Sequence, residues 1–344
     1  MILRDIVERQ NKILEIIVSS YVGTALPVGS RAVSKMVGLS SATIRNTMAD
    51  LEEQGYIMHP HTSAGRVPTD KGYRLYIESL MRAKEINKKE AQRIEEEYRL
   101  RRKSIEDIIK KSADLLAGIT HQTGIVIFPK FKESRFKHID FVSVGKNKLL
   151  VVLITSSGIV RSFIIDTKEQ LGPDLDVITN LLNSDYYGLT LDEIKQRLFM
   201  RLKEERNSFY NIVSETTEII DSMLQLFCED ELYLGGASRI LSQPEFEDAH
   251  NAKDLMEIFE DKGALSRLLE DDLGEEGIKI YIGRENKHKL MRNCSLVTCG
   301  YRIKGDLTGR LGIIGPTRMD YDHLIPLVNF VSEKMTRALD SLVE

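Results

Sequence analysis

Cysteine is scarce in this sequence: Cys228, Cys294 and Cys299 are the only three in 344 residues. An odd number in so long a chain excludes a disulfide framework. Cys294 and Cys299 have no His or Cys pair nearby to complete a zinc site, so all three read as ordinary reduced thiols. No apolar run approaches the roughly 20 residues that span a bilayer. The opening MILRDIVERQNK interleaves charge with apolar residues and is no signal peptide, so the chain is expected to be cytoplasmic. The H-E-x-x-H, G-x-S-x-G and kinase signatures are missing. Gly309, Gly312 and Gly315 are spaced G-x-x-G-x-x-G, which matches neither a dinucleotide fingerprint nor a P-loop, and read as strand and turn glycines. The seven His are scattered; His59 and His61 lie close together without an acid or Cys to make a metal site. The carboxylates around Glu270-Asp271-Asp272 lack EF-hand spacing and read as a solvated acidic face. No catalytic residue, metal or cofactor is expected.

What is present describes a globular chain. Hydrophobic residues make up 42% and charged residues 29%, and the length suits two or three domains. The net charge of −4 is unevenly spread. Residues 1–111 hold 20 Lys and Arg against 15 Asp and Glu, a balance of +5, and residues 112–344 hold 28 against 37, a balance of −9. An anionic partner would therefore meet the N-terminal end.

Residues 3–22 carry Leu3, Ile6, Ile13, Ile16, Ile17 and Tyr21 on one helical face, and Pro27 and Gly29 break the pattern. Residues 30–37 make a short helix with Ser30 as a plausible N-cap. After the turn Gly38-Leu39-Ser40, a third helix capped by Ser40 or Ser41 runs to about Gln54, where Gly55 ends it. Two helices joined by a short Gly-containing turn form a helix-turn-helix. The segments YIMHPHT and GRVPT, linked through Ser63-Ala64-Gly65, then suggest a hairpin, which would make the unit winged. Residues 70–83 return to helix, and 84–112 read as a solvated, charged linker helix without regular heptads. From 124, GIVIFP, HIDFVSV, KLLVVLIT and IVRSFII suggest one antiparallel meander. Residues 169–228 look helical throughout, after which strands and helices alternate to a last helix at 321–342. This pattern predicts an α+β domain carrying an insertion.

The third helix has two unlike faces. At about 100° per residue, Ile44, Met48 and Leu51 share one narrow apolar stripe, and Ala42, Arg45, Asn46 and Ala49 lie opposite. Arg pairs bidentately with guanine and Asn with adenine in the major groove, while small residues let the backbone come close. The N-terminal part, which reads bases in such motifs, carries Ser41, Thr43, Arg45 and Asn46; Asp50, Glu52 and Glu53 are confined to the later half. The HPHTSAGRVP loop offers His61, Ser63 and Arg66 to phosphates or a minor groove, and Lys71 and Arg74 would add phosphate contacts.

The run Ser40–Asn46, with Met48, Leu51-Glu52 and Gly55-Tyr56-Ile57, then Pro60–Thr69 and Gly72-Tyr73-Arg74, resembles the bacterial heat-inducible transcription repressor HrcA family. LGGAS (Leu234–Ser238), IGREN (Ile282–Asn286) and GRLGIIGPTRMDY (Gly309–Tyr321) extend the resemblance over nearly the whole chain. The resemblance implies a homodimeric repressor of chaperone operons. Such a repressor binds double-stranded DNA at an inverted repeat and is kept active by a chaperonin. It implies a winged helix-turn-helix domain at 1–83 and the linker helix at 84–112. A GAF-like α+β domain would cover 113–168 and 229–344, with a helical dimerisation domain inserted at 169–228. No ligand constellation is visible, so an empty or closed GAF-like pocket is expected. The alternatives are a winged regulator whose GAF-like domain senses a metabolite, and an enzyme with an appended winged domain, for which no catalytic cluster is found.

Overall fold

The computed structural model describes the chain apart from residues 1, 61–64, 82–83, 100–103, 129–134, 157–159, 168–173, 205–208, 230–231, 271, 273–274, 304–306 and 344. Helix α1 (Ile2–Thr24) buries Ile13, Leu14, Ile17 and Val18. Helix α2 (Ser30–Val37) is preceded by Gly29, which occupies the N-cap in place of Ser30, and no side chain caps it. Gly38, at φ +74, turns the chain into α3 (Ser41–Glu53), where Ser40 is the cap and accepts the Thr43 N–H at 3.1 Å. Strands β1 (Ile57–Met58) and β2 (Val67–Pro68) form a short antiparallel hairpin. Its base is tied to the α1–α2 connection, because Val28 and Arg66 exchange both backbone hydrogen bonds. Helix α4 (Asp70–Leu75) follows, N-capped by Thr69, and widens into a π-helical turn at Tyr76–Leu80.

The single solvated helix expected over 84–112 is not what forms. The segment contributes α5 (Lys88–Arg99) and the start of α6 (Ile105–Thr120). Ile94, Ile108, Ile109, Ala113 and Leu116 are all fully buried. Heptads are absent because these helices pack on several partners, a sheet among them, and not along a two-helix seam.

That sheet has five antiparallel strands: β3 (Thr123–Ile127), β7 (Leu232–Gly235), β8 (Ile278–Ile282), β9 (Cys294–Ile303) and β10 (Leu307–Pro316), in the order β7-β3-β10-β9-β8. One face is covered by α6 and the last helix, α13 (Tyr321–Val343); the other by α10 (Ala237–Ile240), α11 (Ala249–Glu260) and α12 (Lys262–Glu270). Alternate strand residues divide between the two layers, with Val126 on the first and Ile125 and Ile127 on the second. Helix α6 lies so close that a Cβ on Gly124 or Gly235 would strike the Ala113 backbone.

The meander expected from 124 onward is divided. β3 pairs with β7 and β10, whereas β4 (Phe136–Gly145), β5 (Lys148–Thr155) and β6 (Val160–Asp166) form a separate sheet with one another. This three-stranded sheet packs with α7 (Asp174–Asp185), α8 (Leu191–Glu204) and α9 (Phe209–Glu229). Asn183 on α7 clamps β4, accepting from the Ile139 N–H and donating to the Ile139 carbonyl, both at 2.9 Å. The described residues of 169–228 are mainly helical, in α7–α9, and the excursion from the main sheet takes in β4–β6 as well.

Candidate nucleic-acid interface

The two faces of α3 are realised in the fold. Ile44, Thr47, Met48 and Leu51 are buried, while Ala42, Arg45, Asn46 and Ala49 are exposed. Thr47 widens the buried stripe because its hydroxyl donates to the Thr43 carbonyl at 3.1 Å, satisfying its polar atom within the helix. Ser41 and Thr43 are half-buried at the N-terminal turn, and the Thr43 hydroxyl sits 2.8 Å from that of Ser40. Among the described residues, no ion pair or side-chain hydrogen bond holds Arg45 or Asn46. Both groups are thus available to an incoming partner.

The other cations are already engaged. Arg66 pairs with Glu52 at 2.7 Å and with His59 Nδ1 at 2.8 Å, which fastens the hairpin base to the second half of α3. Lys71 donates to the Gln54 carbonyl at 2.9 Å and lies 4.6 Å over the Tyr56 ring, at the C-terminal end of α3. Arg74 is engaged by the body of the molecule. Its guanidinium turns away from α3 and forms a two-pronged ion pair with Glu285, with Nε to Oε1 at 2.9 Å, and a further bond to the Ile280 carbonyl at 2.7 Å. The Glu285 hydrogen bond raises the Arg74 pKa above its usual value, so the group is a fixed cation committed to the body of the molecule. His61 and Ser63 lie outside the described residues.

Two cations escaped the sequence reading. Arg31 and Lys35 are exposed on α2, four residues apart and opposite buried Val33, and no ion pair among the described residues holds them. The helical phase of SRAVSKMV would have placed them there. In the acidic stretch, Asp272 is also not solvated: it is buried and accepts the Tyr281 hydroxyl at 2.8 Å. Burial, then this bond, pushes the Tyr281 phenol up to about 12. Gly309, Gly312 and Gly315 lie on β10 beside Tyr301, Val297 and Met319, where a Cβ would collide. No group of three or more His, Cys, Asp or Glu among the described residues could hold a metal ion, and no helix among them is long and apolar enough to cross a membrane.

Known proteins agree over the full length. A family model described as the HrcA protein C-terminal domain matches residues 106–325. Heat-inducible transcription repressors HrcA from Pelotomaculum thermopropionicum and Geobacter sulfurreducens are each 38% identical to this chain. The alignments cover 98% of this chain and 97% and 99% of those relatives. A crystal structure of a hypothetical protein at 2.2 Å resolution superposes with a TM-score of 0.60 at 24% identity, covering 97% of this chain and 98% of that one, and supports the fold alone. The class these relatives define is the transcriptional repressor, a regulator. Within that class, the chain belongs to the HrcA family of heat-inducible transcription repressors.

Proposed function

We propose that the chain represses chaperone operons by binding double-stranded DNA as a homodimer, and that a chaperonin keeps it active. The reading-head is a winged helix built from α1–α4, β1 and β2; the five-stranded unit is GAF-like; and the dimerisation unit is the insertion running from β4 to α9. The observation that carries this reading is the first half of α3, where Arg45 and Asn46 stand exposed beside Ala42 and Ala49, with no ion pair or side-chain hydrogen bond among the described residues. Arg45 reads guanine and Asn46 adenine in the major groove. Ser41 and Thr43 contact bases or phosphates at the start of the helix. Arg31 and Lys35 neutralise phosphates from α2, the helix that crosses the backbone in this motif. Lys71, with His61 and Ser63 from the sequence between β1 and β2, adds phosphate or minor-groove contacts. Arg66 and Arg74 serve to hold structure, since carboxylates already engage them.

The second copy docks on the outer face of β4-β5-β6. Val142, Val144, Val160 and Ile164 there are 50–58% exposed, around the half-buried Leu150, Val152 and Ile154. Exposed apolar residues grouped on one sheet face, with His138, Asp140 and Ser162 beside them, suit an interaction surface. Two copies joined through the same face are related by a two-fold axis, which an inverted repeat would match.

The test is a titration on an inverted-repeat duplex and a scrambled duplex at several salt concentrations. Arg45→Ala should cost about 1–3 kcal/mol on the specific duplex and change scrambled binding little. Equal losses on both would remove Arg45 from base readout. A metabolite-gated regulator is the second reading. It is favoured by a cleft of about 370 Å³ between β9 and α13, lined by Cys299, Arg302, Asn329, Ser332 and Glu333. It requires a small molecule that shifts the DNA affinity.

A further inference from the structure

The segment Ile282–Asn286 takes no part in the DNA face, yet it grips the DNA-reading unit. Glu285 receives both prongs of Arg74, and its Oε2 also accepts the Ile282 N–H at 2.9 Å, so its own turn presets the carboxylate. Asp70, one helical turn before Arg74, accepts the Arg284 N–H at 2.9 Å. Gly283 lies between them at φ +51, and a Cβ there would run into the Asp70 carboxylate. Tyr73, between Asp70 and Arg74, is buried and packs 5.8 Å from the ring of Tyr321. The N-terminal part of α4 is therefore seated on this turn by charge, backbone hydrogen bond and shape together.

Helix α4 is just as firmly joined to α3. Thr69 donates to the Gly55 carbonyl at 2.7 Å, Lys71 to the Gln54 carbonyl, and Gly72 lies against the Tyr56 carbonyl too closely for any Cβ. An unbroken set of short-range contacts thus runs from the reading helix through α4 to the body. We infer that the turn Ile282–Asn286 is a spacing determinant: by fixing the angle of α3 on the body, it sets the half-site separation that a dimer accepts. This rests on the proposed dimeric binding to an inverted repeat. Two linked reading heads gain avidity only when both sites are reached at once, and a rigid seat narrows the separations that allow it.

The test uses the full chain and an inverted-repeat duplex that the wild-type protein recovers from a randomised duplex pool. It adds the same repeat with its spacer lengthened by about half a helical turn (roughly five base pairs), and a single half-site. Wild-type protein should lose on the order of 10²-fold in affinity on the lengthened spacer. Glu285→Gln keeps an acceptor for the Ile282 N–H but loses the charge; its spacer penalty should fall below about tenfold, with half-site affinity not reduced. Asp70→Ala removes the acceptor of the Arg284 N–H and is read in the same way should Glu285→Gln fail to fold. An unchanged spacer penalty in a folded variant overturns the inference. So does tighter binding to the original spacing, which would mean that the turn holds the reading helices off register. Failure of the wild-type protein to recover any inverted repeat would instead strike the dimeric reading itself.

Discussion

Arg310 has no exposed surface, and every nitrogen of its guanidinium is occupied. Nη1 donates to the carbonyls of Asp272 and Glu275 at 2.9 Å, Nη2 to those of Gly277 and Thr298, and Nε to the Thr298 hydroxyl. Burial lowers its pKa, opposed by the Asp272 charge nearby. The side chain works as a five-pronged pin that holds Asp272, Glu275 and Gly277 against β9. Arg310→Met should cost about 1–3 kcal/mol in chemical denaturation at neutral pH, because it orphans buried carbonyls. Arg310→Lys should not restore it, since an ammonium lacks the planar fork. A Met variant as stable as wild type would mean that desolvating the cation cancels all its hydrogen bonds. This arginine also marks what a sequence can and cannot display at this scale. The outward set Ala42, Arg45, Asn46 and Ala49 depends only on helical phase and so was readable. Whether Arg66 or Arg74 is free for a phosphate depends on where Glu52 and Glu285 come to rest. Glu285 is reached only through the tertiary fold.

At the scale of elements, the pattern of burial separates the two sheets. β3 is buried at every position, as a strand covered on both faces must be; β5 alternates between buried and half-buried, as a strand with one open face does. Yet the open side of β5 is Leu150, Val152 and Ile154, which are apolar like its inner side. That excess of apolar residues hid the division between the sheets from the sequence, because GIVIF and KLLVVLIT look alike until their partners are known. It is also what the proposed docking of a second copy on this face rests on. Ile164→Asp places a charge beside Leu150, its cross-strand neighbour, on the open side of the sheet. The variant should keep its thermal unfolding profile yet sediment as a monomer. It should bind the inverted repeat on the order of 10²-fold more weakly, with little change on a half-site. A dimer that survives this substitution would place the interface elsewhere.

Over the whole molecule, the order of strands in the chain and in space disagree, and this bears on the proposed need for a chaperonin. β4, β5 and β6 pair with their sequence neighbours and can form early, together with α7–α9. The five-stranded sheet has to wait. β3 joins β7 by pairing Gly124 with Gly235, and joins β10 by pairing Ile127 with Arg310, so the insertion and most of the C-terminal half must be in place first. The reading unit is then seated by pairings as distant as Arg74 with Glu285 and Val22 with Arg318. Until those closures happen, β3, buried at every position in the folded chain, exposes apolar strand, the condition under which chains aggregate. Diluted from denaturant at a heat-stress temperature, the protein should regain specific DNA binding only in part. With chaperonin and ATP it should regain nearly all, and an excess of a second unfolded protein should abolish the difference by occupying the chaperonin. The gain should fall on the five-stranded unit, so hydrogen exchange during refolding should find β4–β6 protected first and β3 last. Complete recovery without chaperonin at that temperature would show that the non-local pairings close unaided, and repression would then have to respond to heat by another route.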